Sequence, residues 1–166
     1  MHLDTIRTLY DYHYWARDRV LAAAQLITSE QFTQSKGHSF DTLQGTLVHL
    51  MNSEQMWLGR WLAESIKPIL KAADFPMLDG VRMYWESIQM KMQKFLNDLK
   101  PEALTQVIHY TNSRNEKLQY PLWQMMLQVV LHGAHHRSEA ATMLTEFGHA
   151  PEPLDAIFYF RIKSGQ

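Results

Sequence analysis

The sequence predicts an all-α protein, a four-helix bundle with a short β-hairpin or extended loop before the last helix. Three observations lead to this fold class. Four long segments repeat apolar residues at the three- and four-residue spacing of an amphipathic helix. The 166 residues suffice for a single domain, 1–166, with a buried core. Hydrophobic residues make up 46% and charged residues 20% of the chain, which excludes a disordered or fibrous protein.

The first predicted helix spans residues 3–26, and Asp4 is its candidate N-cap. Residues 28–35 are mostly polar and predict one short turn, and residues 36–38 predict a loop. The apolar stripe of the helix consists of Leu3, Ile6, Tyr10, Tyr14, Val20 and Leu21.

The second predicted helix begins at Ser39 or Asp41, because Asp41 and Gln44 have the three-residue spacing of a capping box. It ends before Pro68, since the residue that precedes a proline is disfavoured in a helix. Residues 66–78 then form a connection. The apolar stripe of this helix consists of Leu43, Leu47, Leu50, Trp57 and Trp61.

The third predicted helix spans residues 79–99 and is stopped by Pro101. Residues 106–111 are then rich in β-branched and aromatic side chains, and residues 112–115 are typical of a turn. Residues 116–120 supply the returning strand of the small hairpin or extended loop. The stripe of the third helix consists of Val81, Tyr84, Trp85, Ile88, Met92, Phe95, Leu96 and Leu99.

The fourth predicted helix opens at Pro121, a residue favoured at the first helical position. It closes at Gly148, a residue favoured immediately after a helix. The apolar run 156–160 in the tail is expected to pack back on the bundle.

Charge and cysteine content exclude several classes of function. Lys and Arg number 16 and Asp and Glu 17, so the net charge of −1 gives no general affinity for nucleic acid or an anionic membrane. The absence of cysteine excludes disulfides, thiolate metal sites and a cysteine nucleophile. Since the N-terminus lacks the pattern of a signal peptide and no apolar run approaches membrane-spanning length, a cytoplasmic protein is expected.

Two histidines on the fourth helix point to metal chemistry. His132 and His136 are four residues apart, so both project from nearly the same side of the helix, toward its apolar stripe. Two buried imidazoles one turn apart suit a divalent cation, although core histidines can show the same spacing. His135 lies about 100° from His136 and is expected on the flank or surface.

The second helix supplies candidates for completing such a site. His49 is flanked by Leu47 and Leu50, and bundles commonly build metal sites from facing helices. Glu54 falls on the apolar side of the same helix, where it could orient a ligand, hold a metal-bound water or pair with Arg137. Glu54 and Arg137 are therefore candidates for residues that support the site without binding the metal.

Sharper catalytic motifs are missing from the sequence. The segment from His132 to His136 has Gly133 where a zinc protease needs its general-base glutamate. A di-iron bundle needs two Glu-x-x-His pairs, and the single candidate, Glu146 with His149, straddles Gly148. A glycine-rich phosphate loop and a nucleophile elbow are also absent.

At these residues the chain resembles the DinB-like (DinB/YfiT) family of metal-binding four-helix bundles. Residues 12–17 resemble the family's aromatic–Trp–Ala segment, and residues 46–57 resemble its second-helix motif. Residues 131–137 give the most specific match, to its last-helix motif, and residues 148–159 resemble its C-terminal tail. The resemblance covers nearly the whole chain.

The resemblance implies that His49, His132 and His136 are the metal ligands and that His135 and Arg137 are neighbours that do not bind the ion. Ser138 and Glu139 depart from the Gly–Gln that many relatives have after the arginine, a departure expected to affect the rim of the site. The family resemblance further implies a homodimer. As in some members, it also implies a transferase or isomerase in which the metal activates the sulfur of a small thiol.

Four functional hypotheses follow. The first is a metal-dependent thiol transferase that acts on a small electrophile, with zinc or nickel preferred and iron or copper also suited to three imidazoles. The second is a hydrolase that uses a metal-bound water. The third is a non-enzymatic metal-binding or stress-response protein. The fourth is a purely structural bundle whose histidines fill the core.

Overall fold

The computed structural model describes residues 1–64, 68–112 and 114–165. Six α-helices and one β-hairpin lie within these ranges, with 3-10 turns at Ala72–Asp74 and Pro101–Thr105. In chain order the elements are α1 (Leu3–Ala24), α2 (Ser29–Thr33), α3 (Leu43–Trp61), α4 (Leu78–Asp98), β1 (Val107–Thr111), β2 (Lys117–Pro121), α5 (Leu122–Glu146) and α6 (Ala156–Lys163).

The four long helices form the predicted bundle. Helix α5 packs against both α1 and α3, while α4 packs mainly against α3. Their apolar stripes meet in two clusters, one around Leu47 and Trp85 and one around Tyr10 and Met126. Burial of these faces is the main source of stability, since helices in proteins are stabilised mostly by packing of an amphipathic face rather than by intrinsic propensity. The all-α fold class is confirmed.

Helix α3 begins later than predicted, and its cap is a different residue. Thr42 is the N-cap, and its hydroxyl accepts a hydrogen bond from the Gly45 amide at 2.9 Å. Asp41 lies outside the helix with a φ of 62°, so the predicted capping box of Asp41 and Gln44 is wrong. The Gln44 side chain instead donates to the carbonyl oxygen of Phe75 at 2.9 Å, which ties α3 to the connection before α4.

The other helix ends differ from the prediction by a few residues. Helix α1 ends at Ala24, and its N-cap is His2 without a side-chain hydrogen bond, so Asp4 lies within the first turn and does not cap. Helix α3 ends at Trp61, well before Pro68. Residues 65–67, which include the first two residues of the predicted connection 66–78, lie outside the described residues.

The hairpin and the last long helix follow the predicted order. Strands β1 and β2 pair antiparallel, with Val107 opposite Pro121 and Thr111 opposite Lys117. Pro121 ends β2 and stands at the N-cap of α5, so the helix begins at Leu122, one position after the predicted first helical residue. Gly148 takes a φ of +84°, the left-handed conformation that the residue after a helix commonly adopts.

The tail forms the short helix α6, which contacts the bundle through one aromatic side chain. Tyr159 is buried and packs edge-on against Trp15 of α1, with ring centroids 5.7 Å apart. Four other large apolar residues of α6 are exposed: Ile157, Phe158, Phe160 and Ile162. Among the helices described, none has the length and apolar character needed to cross a membrane.

Candidate metal centre

The bundle brings three of the predicted histidines together between α3 and α5. His132 and His136 project from one side of α5, one turn apart, and His49 faces them from α3. One ring nitrogen from each lies within 4.8 Å of the others. Nε2 of His49 is 2.9 Å from Nε2 of His132. The three residues named from spacing and resemblance therefore form one cluster.

The donor set and its spacing fit a divalent cation. Nitrogens about 2.05 Å from one ion are separated by about 2.9 Å at an angle of about 90° and by about 3.3 Å at the tetrahedral angle that zinc prefers. The 2.9 Å between Nε2 of His49 and Nε2 of His132 lies at the lower end of that range. Three imidazoles suit zinc, nickel, copper or iron, so the residues present could hold such an ion.

An aromatic side chain fixes the orientation of His49. The Phe40 ring stacks on the His49 ring, with centroids 3.8 Å apart and an interplanar angle of 18°. It also meets the edge of His136 at 5.3 Å between centroids. Phe40 belongs to the loop before α3, and its carbonyl oxygen lies so close to Gly45 that any Cβ there would collide with it. Gly45 thus permits the loop to place Phe40 over the cluster.

The cluster favours uncharged imidazoles. Burial, with the positive charge that neighbouring histidines would carry, lowers the pKa of His49 to about 4. The same causes lower the pKa of His132 to about 4. Both rings are therefore neutral at pH 7, the protonation state in which an imidazole binds a metal.

Glu139 holds His136 from the outer side of α5. Its Oε2 lies 2.8 Å from Nδ1 of His136, and its Oε1 accepts a hydrogen bond of 2.6 Å from the Ser39 hydroxyl. Burial acts to raise the pKa of Glu139, but the hydrogen bonds from Ser39 and His136 lower it, so the carboxylate is ionised. It therefore accepts the Nδ1 proton of His136, which leaves Nε2 of that ring for a metal.

His135 lies outside the cluster, as expected from its helix position. Its side chain is 70% exposed, and its Nε2 is 3.9 Å from Glu139 Oε1. His135, His136 and Glu139 form a second group that could hold a metal ion. That group competes with the three-histidine cluster for His136, whose Nδ1 is already bonded to Glu139.

Glu54 points into the bundle but does not touch the three histidines. It is 2% exposed and accepts three hydrogen bonds, from His13 Nε2 at 2.8 Å, Trp85 Nε1 at 2.9 Å and the Tyr14 hydroxyl at 3.1 Å. Burial alone would raise the pKa of Glu54, but the His13 contact leads the influences that lower it, so Glu54 is a carboxylate.

Arg137 reaches Glu54 only through His13. Its Nη1 lies 2.8 Å from Nδ1 of His13. Since a guanidinium can only donate, Nδ1 of His13 is the acceptor and Nε2 carries the proton that it gives to Glu54. Burial, the largest influence, lowers the pKa of His13, in agreement with this neutral form. The predicted direct pairing of Glu54 with Arg137 is absent from the described contacts, and Arg137 is buried.

Several residues of this region escaped the sequence analysis. Phe40 and Ser39 lie in a loop, where no periodic pattern marks a side chain that turns inward. His13 and Trp85 lie on buried helical faces, where their periodicity resembles core packing. The signal available for His13 was its position between Tyr10 and Arg17 on the apolar stripe of α1.

Comparisons with known proteins agree with this architecture. The model of the DinB family matches residues 1–165. "Protein DinB" of Bacillus subtilis (strain 168) is 22% identical over 169 residues, an alignment that covers 94% of this chain and 94% of that protein. Since the family match extends over almost every residue, the chain belongs to the DinB family.

Proposed function

We propose that this chain is a divalent-metal-binding protein whose ligands are His49, His132 and His136, and that it acts as a metal-dependent thiol transferase. One observation carries the metal site: three imidazoles from two helices converge within 4.8 Å. The low pKa values of His49 and His132 support it, because neither ring must lose a proton to bind an ion at pH 7.

Zinc or nickel is the proposed ion, and the proposed cosubstrate is a small thiol. A bound divalent cation stabilises the thiolate form of a sulfur ligand, which makes that sulfur nucleophilic at neutral pH. The residues of the chain would hold the ion in place: Glu139 orients His136, and Phe40 orients His49. The thiol itself is inferred from the family resemblance, as is a small electrophile as substrate.

The carboxylates near the cluster favour a thiol transferase over a hydrolase. Hydrolysis at a metal site commonly needs a general base beside the bound water. Both oxygens of Glu139 are engaged, one by Ser39 and one by His136. Glu54 accepts three hydrogen bonds deep in the bundle. Every oxygen of these two carboxylates already accepts a hydrogen bond, which weakens both as general bases, whereas a thiolate needs no such base.

The metal site is tested by metal content. Untagged protein purified without added metal is analysed by mass spectrometry beside the His49→Ala/His132→Ala/His136→Ala variant and the matched control His135→Ala. About one ion per chain is expected in the wild type and in His135→Ala, and none in the triple variant. Metal retained by a folded triple variant would refute the ligand assignment.

The reaction is tested with metal-loaded protein, low-molecular-weight thiols and an aryl halide. The expected product is a thioether, formed as sulfur bonds to carbon, halide leaves and the thiol proton passes to the buffer. Loss of turnover with a chelator, and in His132→Ala, is expected. Thiol-independent turnover of esters or amides would favour the hydrolase, and a bound ion without turnover of either kind would favour a metal-binding protein that is not an enzyme.

A homodimer in the cytoplasm is the proposed state of the protein. The exposed apolar side chains of α6 support a self-association surface, because a tail helix with several solvent-facing aliphatic and aromatic residues is unusual in a monomer. Sedimentation should show a dimer in the wild type and a monomer for Ile157→Ser/Ile162→Ser. A wild type that sediments as a monomer at micromolar concentration would contradict this assembly.

A further inference from the structure

We propose that Glu54, His13 and Arg137 form a bridge that sets the register of α5 against α3, so that the three-histidine cluster is assembled before any metal arrives. The bridge is defined by two hydrogen bonds, from Arg137 Nη1 to His13 Nδ1 at 2.8 Å and from His13 Nε2 to Glu54 Oε1 at 2.8 Å. This inference concerns the proposed metal site, and its first test requires no metal.

The bridge links the two helices that carry the cluster. Glu54 lies on α3 five residues after His49, and Arg137 lies on α5 directly after His136. Five residues correspond to about 7.5 Å along a helix and about 140° of rotation. Glu54 therefore leaves α3 about one and a half turns beyond His49 and in another direction. The bridge can fix how the helices meet without touching the metal ligands.

Helix α1, which carries His13 of the bridge, and helix α4 hold Glu54 in place. Glu54 accepts hydrogen bonds from Tyr14 on α1 and from Trp85 on α4 in addition to that of His13. Three of the roughly four acceptor sites of this carboxylate are thereby used, which restricts its orientation. The carboxylate of Glu54 on α3 is thus bonded to both α1 and α4.

A glycine on α5 leaves room for the ring of His13. A Cβ at Gly133 would collide with Cε1 of His13 and would lie 2.7 Å from Arg137 Nη1. Gly133 is the residue after His132. The bridge therefore contacts α5 at the turn that bears the ligands, where a small rotation of the helix would move His132 and His136 away from His49.

The energetics favour a positioning role over a stabilising one. A buried ion pair gives little net stability, because removing the charges from water offsets their attraction, while its directional bonds can select one arrangement. Arg137 Nη2 is buried without a hydrogen-bond partner among the described residues, so this guanidinium is incompletely compensated. Apolar contacts alone would allow α5 to pack at slightly different rotations about its axis. The hydrogen bonds of the bridge are directional and select one of them.

The first test uses metal-free protein and the Arg137→Met variant, which cuts the link to α5 and removes the incompletely bonded guanidinium. In the wild type, nuclear Overhauser effects are expected between the rings of His49 and His132, whose centroids are 4.9 Å apart. The variant should fold but lose these effects. The Glu54→Gln/Arg137→Met variant removes both charges together. It should also lose these effects, and it replaces the single variant if that variant does not fold.

The second test measures zinc affinity by competition with a chelator. Arg137→Met should bind zinc at least tenfold more weakly than the wild type. The matched control is Leu96→Ala, which opens a buried site on α4 and lowers thermal stability but should leave zinc affinity within twofold. A variant with intact His49–His132 effects and unchanged affinity would overturn the bridge. A wild type that shows those effects but binds no metal would refute the proposed function and leave the bridge standing.

Discussion

At the scale of single residues, Glu139 determines which nitrogen of His136 is available to a metal. Its carboxylate accepts from Nδ1 of His136 and is itself held by the Ser39 hydroxyl. Such a partner fixes ring orientation and tautomer, and its removal from metal sites typically weakens affinity about 10–100-fold.

Replacements of Glu139 should show how far zinc affinity depends on its hydrogen-bond acceptor and how far on its charge. Glu139→Ala is expected to weaken zinc binding about tenfold or more, because the His136 ring loses its acceptor. Glu139→Gln keeps an oxygen acceptor and should lose less than Glu139→Ala. Chelator competition measures both, and Glu146→Ala, an exposed carboxylate near the end of α5, is the matched control. Equal affinity in the alanine variant and the wild type would contradict this role.

The two low histidine pKa values predict a pH dependence of metal-free stability. His49 and His132 titrate at about 4 in the folded protein, whereas histidine in an unfolded chain titrates near about 6.5. Between these values the unfolded chain binds more protons, so the free energy of unfolding should fall as pH decreases from about 6.5 to about 4. Above about pH 6.5 both states are neutral at these residues, and they contribute no pH dependence.

Urea unfolding in the presence of a chelator, at several pH values from 7 to 4.5, measures this effect. The His49→Gln/His132→Gln variant should lose less stability than the wild type over that interval. His135→Gln alters an exposed ring and should follow the wild-type curve. Parallel curves for the wild type and the double variant would show that the two pKa values are not depressed.

At the scale of elements, α5 has one position where a side chain cannot be accommodated. Gly133 faces the ring of His13, which Glu54 holds in place, so a methyl group there meets an atom that cannot move aside. Alanine is ordinarily the better helix former by about 1 kcal/mol. Here overpacking should dominate, and Gly133→Ala should destabilise the protein by about 1–3 kcal/mol.

Gly59 supplies the control for that substitution. It lies in α3 with nothing within 4 Å of an added Cβ. Gly59→Ala should therefore stabilise the protein by about 0.5–1 kcal/mol, in the direction of helix propensity. The two variants are compared by urea unfolding. The same sign of change in both would show that the contact at His13 does not decide the outcome.

The elements show which parts of the fold the sequence predicts. Helix periodicity identified the four long helices because their apolar stripes face one core, and the hairpin was expected because β-branched residues flank a turn. Helix ends were less predictable: Asp41 and Thr42 can both cap a helix, but the Asp41 carboxylate accepts a hydrogen bond from Ser35 and Thr42 forms the cap. The three histidines were found through helical spacing and family resemblance. Phe40 and Ser39 could not be found, since a loop residue carries no period.

At the scale of the whole molecule, a metal bound between α3 and α5 would stabilise the bundle. An ion that binds only the folded state adds about 2.7 kcal/mol when its free concentration is 100 times Kd. For a chain of 166 residues this corresponds to a rise in Tm of about 5–10 °C. Differential scanning calorimetry with and without zinc should show the rise in the wild type but not in His49→Ala. A wild-type Tm independent of zinc would argue for histidines that only fill the core.

The separation of the ligands along the chain determines the order in which folding and metal binding occur. His49 and His132 are 83 residues apart, and the helix α4 and the hairpin lie between them. Closing a flexible loop of that length costs about 4 kcal/mol. An unfolded chain therefore offers an ion only the local histidines around residue 132, a weak and incomplete set of ligands. Unlike a zinc finger, in which the metal nucleates folding, this chain would bind an ion after its bundle has formed.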